Sequence, residues 1–281
     1  WRYIMQAQEA GAKVVVIDPR YTTTAAKADR YIPIRPGSDA VMALAMAETI
    51  IAEQLYDAEY LRDHTVAPFL VREDTKRFLR QSHLTGIAPE AGQPDPYIVW
   101  DKEAHAGKVL AEVPDPQLEG TYTIDGIKVS TAFTVLKEFL TDYTPEKATG
   151  LCDVPTETIR ETARLYATNT PASIFNGFIQ YDNGLQTGHA WGILVSLTGN
   201  IARNGSSVGH CGMAFYSCNF IKYLFPRGKN SPTIPWLLLP EVLKTGEFYG
   251  KPHPIKSMYF LCSNAVTNNT NQNRIINEIF P

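Results

Sequence analysis

The sequence lacks several patterns that would assign it to a familiar class of protein. No CxxC pair occurs among its four cysteines, whereas iron–sulfur clusters and structural zinc sites usually show such pairs. No apolar stretch approaches the roughly 20 residues that a membrane-spanning helix needs. No basic run occurs either, because 26 basic residues are interspersed with 29 acidic ones, for a formal net charge of −3. These absences disfavour a metal cluster within the chain, direct membrane insertion and nucleic acid as a partner.

The sequence also lacks the arrangements that carry catalysis. No Ser-His-Asp or Cys-His arrangement stands out, and the carboxylate pair Glu138 and Asp142 is typical of a solvated helix face. His189 lies in a helical pattern and is typical of a packing residue. Gly199-Asn200, followed by Gly205, lacks the spacing of a Gly-x-Gly-x-x-Gly loop, which disfavours a nicotinamide-dependent dehydrogenase. We therefore expect a binding surface with no catalytic and no metal-ligating residue in this chain.

Short apolar runs alternate with helical patterns along the 281 residues, 44% of which are hydrophobic. Val14–Ile17 is apolar at every position, which is typical of a parallel strand covered on both faces. Tyr31–Ile34 is a second strand in which Pro33 favours a sheet edge, and Ala172–Phe175 and Ser257–Leu261 are two more. Helices are predicted at Trp1–Ala10, after Asp39, at Thr156–Ala167 and at Gly188–Leu197. This alternation predicts an α/β fold with a doubly wound, mostly parallel, Rossmann-like sheet.

A change in composition and periodicity after residue 200 predicts two domains. Residues 1–200 carry the regular alternation, with a Pro- and Gly-rich stretch at about 85–130. This stretch is predicted to be an irregular insertion or a small hairpin, with strand-like pieces at Tyr97–Trp100 and Tyr122–Ile124. Residues 201–281 are predicted to be an incomplete part of a neighbouring α/β domain. The chain starts at Trp1 inside a helical pattern and stops while another helix, residues 271–280, is still running. We therefore expect it to be a segment of a longer protein.

Three of the predicted strands run into small or polar residues. Asp18 follows the first, Gly177 the third and Asn264 the last. In open parallel sheets, ligands bind at the carboxyl ends of the strands. This coincidence indicates a nucleotide-like ligand.

Asp18 has two interpretations. An acidic residue after a buried strand can accept both hydroxyls of a ribose, and Arg20 offers a planar fork for phosphate. Asp18-Pro19 is equally ordinary turn chemistry, so the residues alone leave both interpretations open.

Asp39 and Gly177 have two interpretations as well. Asp39 follows Pro36-Gly37-Ser38 and is placed as an N-cap of the next helix, which by itself explains an aspartate there. The functional alternative is that its carboxylate accepts two N–H bonds from a guanine edge. Gly177, with Gln180 after it, either makes a tight turn or lets a bulky ligand approach the backbone.

An ordered set of motifs resembles the central segment of the dimethyl sulfoxide reductase superfamily. The motifs are Gly11–Arg20 with its Asp-Pro-Arg ending, Thr22–Thr24, Ala28-Asp29, Ile34–Ala40 with its Arg-Pro-Gly-Ser-Asp run, Tyr143–Glu146, Val154-Pro155 with Ile159, Leu197–Asn200 and Ser263-Asn264. Each motif alone is weak, whereas their order and spacing along nearly the whole chain are specific.

The resemblance implies a molybdenum or tungsten atom held by two molybdopterin guanine dinucleotides. By this likeness Asp18 holds a guanosine ribose, Asp39 serves as cap and guanine ligand together, and Gly177 and Gln180 lie beside the same cofactor. Ser263 and Asn264 approach the second cofactor. The full set of implied cofactor-binding residues is Asp18, Pro19, Arg20, Pro36, Gly37, Ser38, Asp39, Gly177, Gln180, Gly199, Asn200, Ser263 and Asn264.

The resemblance also implies the activity and the partners. The parent enzyme acts on a small substrate by oxygen-atom or related transfer, and some relatives catalyse hydration or hydroxyl transfer instead. Its metal ligand and cysteine-rich cluster region, a [4Fe-4S] site in some members, precede this segment, and a barrel domain follows it. The implied partners are the remaining domains of the same polypeptide and an iron–sulfur electron-transfer subunit. The implied location is the bacterial periplasm or the membrane surface, with the cytoplasm left open, and the isolated segment is expected to be inactive and without bound cofactor.

The sequence departs from the family pattern in two places. Ala265 stands where the family has proline after Asn264, and Ala202–Gly205 replaces a more glycine-rich run. The alternative function is a non-catalytic scaffold subunit of an electron-transfer assembly that keeps the fold without molybdenum. The presence of both Asp18 and Asp39 argues against this alternative, because a scaffold does not need them.

Overall fold

A computed structural model describes residues 1–89, 92–176, 184–210, 232–259 and 272–279. The chain divides into two units, Trp1–His210 and Cys211–Pro281. No helix in the described part of the chain is both long and apolar enough to cross a membrane.

Eight helices and nine strands make up the described part of the first unit. The helices are α1 (Arg2–Glu9), α2 (Asp39–Ala52), α3 (Ala58–His64), α4 (Gln81–Thr85), α5 (Ala132–Leu140), α6 (Pro145–Cys152), α7 (Thr156–Thr168) and α8 (Gly184–Leu197). The strands are β1 (Val15–Ile17), β2 (Arg30–Ile32), β3 (Leu70–Arg72), β4 (Ile98–Asp101), β5 (Ala106–Val109), β6 (Thr121–Ile124), β7 (Ile127–Thr131), β8 (Ser173–Asn176) and β9 (Ser207–His210).

Two of the strand pairs, β1–β2 and β8–β9, are parallel. Each is a separate two-stranded sheet among the described residues, so the chain is a mixed α/β protein with several small sheets. Val15 and Ile174 pack against the main core, whereas Ile17 is 40% exposed and Phe175 82% exposed. The prediction that Val14–Ile17 is covered on both faces is therefore wrong within this chain, because a two-stranded pair gives helices little surface to cover.

Helix α2 forms the centre of the main core. Ten of its residues are buried: Ala40, Met42, Ala43, Leu44, Ala45, Met46, Ala47, Thr49, Ile50 and Ile51. Many are alanines, whose small side chains let α6, α7 and α8 pack closely around it. The buried Thr49 hydroxyl donates to the carbonyl of Ala45 at 3.0 Å, so its polar atom is satisfied. Helical periodicity predicts an inward face of Val41, Leu44, Ala45 and Ile51. The last three are buried, Val41 is half-buried, and burial extends to the other faces as well.

The predicted insertion contains four short strands, β4 to β7. Antiparallel strands β3, β7 and β6 form one sheet, and β4 and β5 form a hairpin. Leu70, Leu79, Ile98 and Val129 give this part its own small apolar core. The predicted small hairpin and the strand-like pieces at 97–100 and 122–124 are confirmed. The strands β5 and β7 were missed because Pro and Gly lie between these short strands and mask their pattern. Strand β9 lies within residues that the sequence assigned to the second domain, and the domain boundary at 200 stays a prediction.

The second unit contains a helix and a hairpin in its described part. The helix spans Leu239–Thr245, and the strands Glu247–Phe248 and Lys251–Pro252 pair antiparallel. A helical turn at Gln272–Arg274 continues as Ile275–Ile279, as the terminal helical pattern predicts. Residues 257–259 are not a strand, so the strand predicted at Ser257–Leu261 is wrong over its described part, and its last two residues lie outside the description.

Candidate functional site

The carboxyl edge of the β1–β2 pair brings two predicted site segments to one place. Ile17 lies opposite Ile32 in the parallel register, and the Asp18 amide donates to the Ile32 carbonyl at 3.2 Å. Asp18 is the first residue after β1, and the segment leading to Asp39 follows β2. Because the strands are parallel, both segments leave the pair at the same edge.

Asp18 has one engaged and one unengaged carboxylate oxygen. Its Oδ1 accepts the amide of Arg20 at 2.8 Å, which closes the turn around the exposed Pro19. Its carbonyl accepts the Tyr31 hydroxyl at 2.9 Å, which fixes the end of the strand. The side chain is half-buried, and Oδ2 has no hydrogen-bond partner in the part of the chain that the structure describes. Turn and ligand interpretations are thus compatible, since each uses a different oxygen.

Arg20 and Tyr21 extend this edge into solvent. Arg20 is exposed, and its guanidinium makes no ion pair with any described residue. Tyr21 is 65% exposed and lies edge-on to Tyr31 with ring centroids 5.1 Å apart. An exposed cation and an exposed aromatic ring beside a carboxylate can bind a phosphate and a flat ring.

A tight turn, Arg35–Ser38, connects β2 to α2. The Arg35 carbonyl accepts both the amide of Ser38 at 3.2 Å and its hydroxyl at 2.6 Å. Pro36 occupies the second position and Gly37 the third with φ +80°, which is the signature of a type II turn. A side chain at Gly37 would meet no atom within 4 Å, so only the backbone conformation requires glycine there.

Helix α2 begins one residue earlier than predicted. Its N-cap is Ser38, which is buried and bonds back into the turn. Asp39 is the first helical residue, so the prediction that Asp39 is the N-cap is wrong. The reason is local: the type II turn places Ser38 at the non-helical position. At its observed position the Asp39 carboxylate interacts favourably with the helix dipole.

The turn is tied to the end of α6 by a pair that the sequence did not reveal. Arg35 donates from Nε and Nη2 to the two carboxylate oxygens of Asp153, at 2.8 and 2.7 Å. The Arg35 amide donates to the carbonyl of Cys152 at 2.9 Å. The hydrogen bonds to Asp153 raise the pKa of Arg35. The two residues lie 118 positions apart, beyond the reach of any local pattern.

Asn176 stands at the carboxyl end of the second parallel pair. Its side-chain oxygen is buried and has no hydrogen-bond partner among the described residues. Buried polar atoms without a partner are rare and call for a physical reason. Sequence reasoning selected the neighbouring Gly177 and Gln180, which lie outside the described residues, as do Ser263 and Asn264. An Asn directly before a predicted ligand-binding glycine was the signal that could have found it.

Gly199 and Asn200 lie in a satisfied polar network. Asn200 is fully buried, accepts the Ala172 amide at 2.9 Å and donates to the Thr198 hydroxyl at 2.8 Å. Gly199 has φ +62°, and a Cβ there would lie 2.9 Å from Asp57 Oδ2 and 3.0 Å from Arg203 Nη2. Both residues therefore have structural roles that join the end of α8 to neighbouring segments. Their contact with a cofactor stays a prediction.

In the described ranges, no three His, Cys, Asp or Glu side chains come together in a way that could hold a metal ion. The polar atoms of the site belong to carboxylate, guanidinium and amide groups. These groups recognise hydroxyls, phosphates and N–H edges.

A comparison with family models decides the family. The model for molybdopterin oxidoreductase matches residues 1–279. The chain belongs to the molybdopterin oxidoreductase family. This match confirms the resemblance to the dimethyl sulfoxide reductase superfamily that the ordered motifs predicted.

Individual relatives agree with the family assignment. The chain is 37% identical over 208 residues to a putative catalytic subunit of dimethyl sulfoxide reductase from Halobacterium salinarum, covering 73% of this chain and 24% of that protein. It is 34% identical over 250 residues to the alpha subunit of perchlorate reductase from Dechloromonas aromatica, with coverages of 74% and 26%. Among solved structures, acetylene hydratase from Pelobacter acetylenicus matches with a TM-score of 0.47 and 23% identity, over 74% of this chain and 20% of that chain. The chain spans about a quarter of the length of the curated relatives it matches.

The polar groups at the carboxyl ends of the two separate strand pairs fit the chemistry of the nucleotide part of a molybdopterin cofactor. Asp18 Oδ2 can accept ribose hydroxyls, and the Arg20 guanidinium can bind pyrophosphate oxygens. The orphaned oxygen of Asn176 can accept an N–H from a purine or pterin ring. No described residue hydrogen-bonds to these three groups, so each can bind a ligand.

Proposed function

We propose that this chain forms the surface that holds guanine-dinucleotide ends of a bis-molybdopterin cofactor in a molybdenum or tungsten oxidoreductase. The observation that carries the proposal is the common carboxyl edge of β1 and β2, from which both Asp18 and the turn before Asp39 emerge. Family membership supplies the cofactor class, and the unengaged Asp18 oxygen supplies an acceptor for it.

Each residue at the edge has a proposed role. Asp18 binds ribose hydroxyls through Oδ2, while Pro19 and the Oδ1 bond to Arg20 keep that oxygen oriented. Arg20 binds a phosphate. Pro36, Gly37 and Ser38 shape the turn, and Asp39 accepts two N–H bonds from guanine. The bound metal would supply the oxygen-atom or related transfer, and this chain's residues hold and orient the nucleotide.

The remaining predicted residues complete the proposed site. Gly177 and Gln180 approach the same cofactor, with Asn176 added from the structure because of its orphaned oxygen. Gly199 and Asn200 support this region from within, and Ser263 and Asn264 approach the second cofactor. We propose further that the two parallel pairs belong to one doubly wound sheet in the intact protein, which would cover the exposed Ile17 and Phe175.

The relatives suggest an activity for the whole protein. We propose that it transfers oxygen to or from a small substrate, as the names dimethyl sulfoxide reductase and perchlorate reductase suggest for those proteins. Its proposed partner is an iron–sulfur electron-transfer subunit, its immediate contacts are the remaining domains of the same polypeptide, and its location is the periplasm or the membrane surface. A [4Fe-4S] cluster outside this chain belongs to the same proposal.

The test of the proposal is Asp39→Asn in the intact protein. If Asp39 receives two N–H bonds from guanine, asparagine turns one acceptor oxygen into a donor that faces a donor. The lost charge-assisted bond and the unpaired buried group together should cost about 2–4 kcal/mol of cofactor binding. Guanine released by acid and bound molybdenum or tungsten should both fall after purification.

Glu59→Gln is the matched control. Glu59 is an exposed acidic residue in the first turn of α3, so its substitution removes a similar interaction with a helix dipole. It should leave guanine and metal content unchanged. Equal guanine and metal content in Asp39→Asn and wild type would overturn the proposed guanine contact. Asp39 would then interact only with the dipole of its helix.

A further inference from the structure

We propose that Arg35 and Asp153 are positioning residues for the cofactor site, because their ion pair fixes the Arg35–Ser38 turn and so determines where Asp39 stands. The inference rests on the proposed function. It assigns a role to two side chains that the motifs and the family comparison leave without one.

Arg35 connects the turn to the rest of the protein on both sides. Toward α6, its amide bonds the Cys152 carbonyl, and its guanidinium forms the two-pronged contact with Asp153. Toward α2, its carbonyl holds both the amide and the hydroxyl of Ser38. One residue therefore links the end of α6 to the first turn of the helix that carries Asp39.

The anchor on the α6 side is rigid. Asp153 caps α6 with φ +61°, and its amide donates to the Thr149 carbonyl at 3.0 Å. Its neighbours Cys152 and Val154 are both fully buried. Their packing holds the Asp153 backbone in place, so the position of its carboxylate is set by the core and is transmitted to the turn through Arg35.

The exposure of the pair separates positioning from stability. The Arg35 and Asp153 side chains are 50% and 59% exposed. Water screens such pairs, and they add little to the free energy of unfolding. A fork-shaped contact to a planar carboxylate still restricts orientation, because two parallel bonds must form together. The pair should therefore matter for the geometry of the site more than for the stability of the fold.

The experiment compares three variants of the intact protein. Asp153→Asn removes the charge and keeps a residue that tolerates the left-handed conformation. Arg35→Lys keeps the charge and loses the fork. The control is Asp74→Asn, which breaks the similar two-pronged Arg72–Asp74 pair far along the chain from the turn. The measurements are acid-released guanine per protein, the melting temperature, and hydrogen exchange of a peptide covering residues 33–42.

We expect guanine content to fall in the variants of the pair while their melting temperature stays nearly unchanged. Asp153→Asn and Arg35→Lys should lose guanine several-fold and exchange faster over residues 33–42, while their melting temperatures stay near that of wild type. Asp74→Asn should keep full guanine content. The double variant Arg35→Lys with Asp153→Glu should recover part of the guanine, since the longer carboxylate restores contact with the shorter cation, and Asp153→Glu alone controls for a glutamate at the left-handed position.

Three other results would overturn the inference, and they can be told apart. Full guanine content in Asp153→Asn and Arg35→Lys, together with loss in Asp39→Asn, would remove the positioning role and leave the proposed function standing. Full guanine content in Asp153→Asn, Arg35→Lys and Asp39→Asn alike would remove the proposed guanine contact of Asp39 as well. Guanine loss accompanied by an equal fall in melting temperature, without recovery in the double variant, would make the pair a structural contact only.

Discussion

At the scale of single residues, Asn176 and Asn200 carry the same side-chain amide in opposite hydrogen-bonding environments. Asn200 is fully buried with both ends of its amide bonded. The Asn176 oxygen is buried, and no residue in the described ranges donates to it. A buried acceptor without a partner destabilises the fold by about 1–3 kcal/mol. Such a residue at the carboxyl end of a strand is therefore best explained by a ligand that donates to it.

Leucine substitution should separate the two asparagines. Asn176→Leu should raise the free energy of unfolding of this chain by about 1 kcal/mol, since it removes an unsatisfied oxygen. Asn200→Leu should lower it by about 3 kcal/mol, because the buried Ala172 amide loses its acceptor and the Thr198 hydroxyl keeps only its bond to the Leu194 carbonyl. Urea titration followed by far-UV circular dichroism measures both values.

The ligand role of Asn176 is measured in the intact protein. There Asn176→Leu should lower the guanine or pterin released by acid, although the fold is no less stable. A variant that loses stability and keeps its full cofactor content would contradict this role.

At the scale of elements, the β4–β5 hairpin depends on one carboxylate. Asp101, whose side chain is 14% exposed, accepts Lys108 Nζ at 2.7 Å and the amides of Glu103 and Ala104 at 2.9 and 3.1 Å. The hydrogen bond from Lys108, followed by the Ala104 amide, lowers the pKa of Asp101 from about 3.8 to about 2. The charged form of Asp101 thus stabilises the hairpin at its turn.

The hairpin should loosen in acid. A carboxylate whose pKa is lower in the folded state stabilises above its unfolded pKa, and this contribution is lost as pH falls from about 4 towards 2. Trp100 in β4 stacks on Tyr122 with ring centroids 3.8 Å apart, so near-ultraviolet circular dichroism should weaken over that range. Asp101→Asn should show a weaker signal already at neutral pH and a smaller change between pH 4 and 2.

Asp125→Asn is the control for this hairpin. Asp125 lies in the neighbouring β6–β7 turn with φ +49°, a conformation that asparagine also tolerates. Its variant should keep the acid transition of wild type. The same pH dependence in Asp101→Asn and wild type would show that other groups cause the transition.

At the scale of the whole molecule, the chain carries a complete core around α2 and exposed apolar side chains at its parallel strands. It spans about a quarter of its curated relatives. A cofactor held by so small a part of its protein would lose much of its buried area and pre-organisation. Under the proposed function, the site residues of this chain would form only one wall of the cofactor cavity.

The chain produced by itself should purify without stoichiometric molybdenum, tungsten or iron. It should bind guanine nucleotides weakly, with dissociation constants far above those of the intact protein, because the other walls are missing. Elemental analysis and calorimetric titration with GDP measure these properties. The intact protein purified in parallel is the control. Stoichiometric metal on the isolated chain would contradict the idea that this chain forms only part of the cofactor cavity.

The sequence by itself determined what depends on neighbouring residues. The strand ending at Asp18 and the helix predicted at Thr156–Ala167 are local patterns, since backbone sterics and helical periodicity act within a few residues. The order of the motifs determined the family. One local inference failed by a single residue, when Ser38 rather than Asp39 proved to be the cap.

Only the tertiary structure decided which distant groups meet. Arg35 finds Asp153, and Asn200 binds the amide of Ala172. Burial decided that the Asn176 oxygen finds no donor among the described residues and that Ile17 stays exposed. These outcomes depend on how helices and strands pack across more than a hundred residues, and no pattern within one element records that packing.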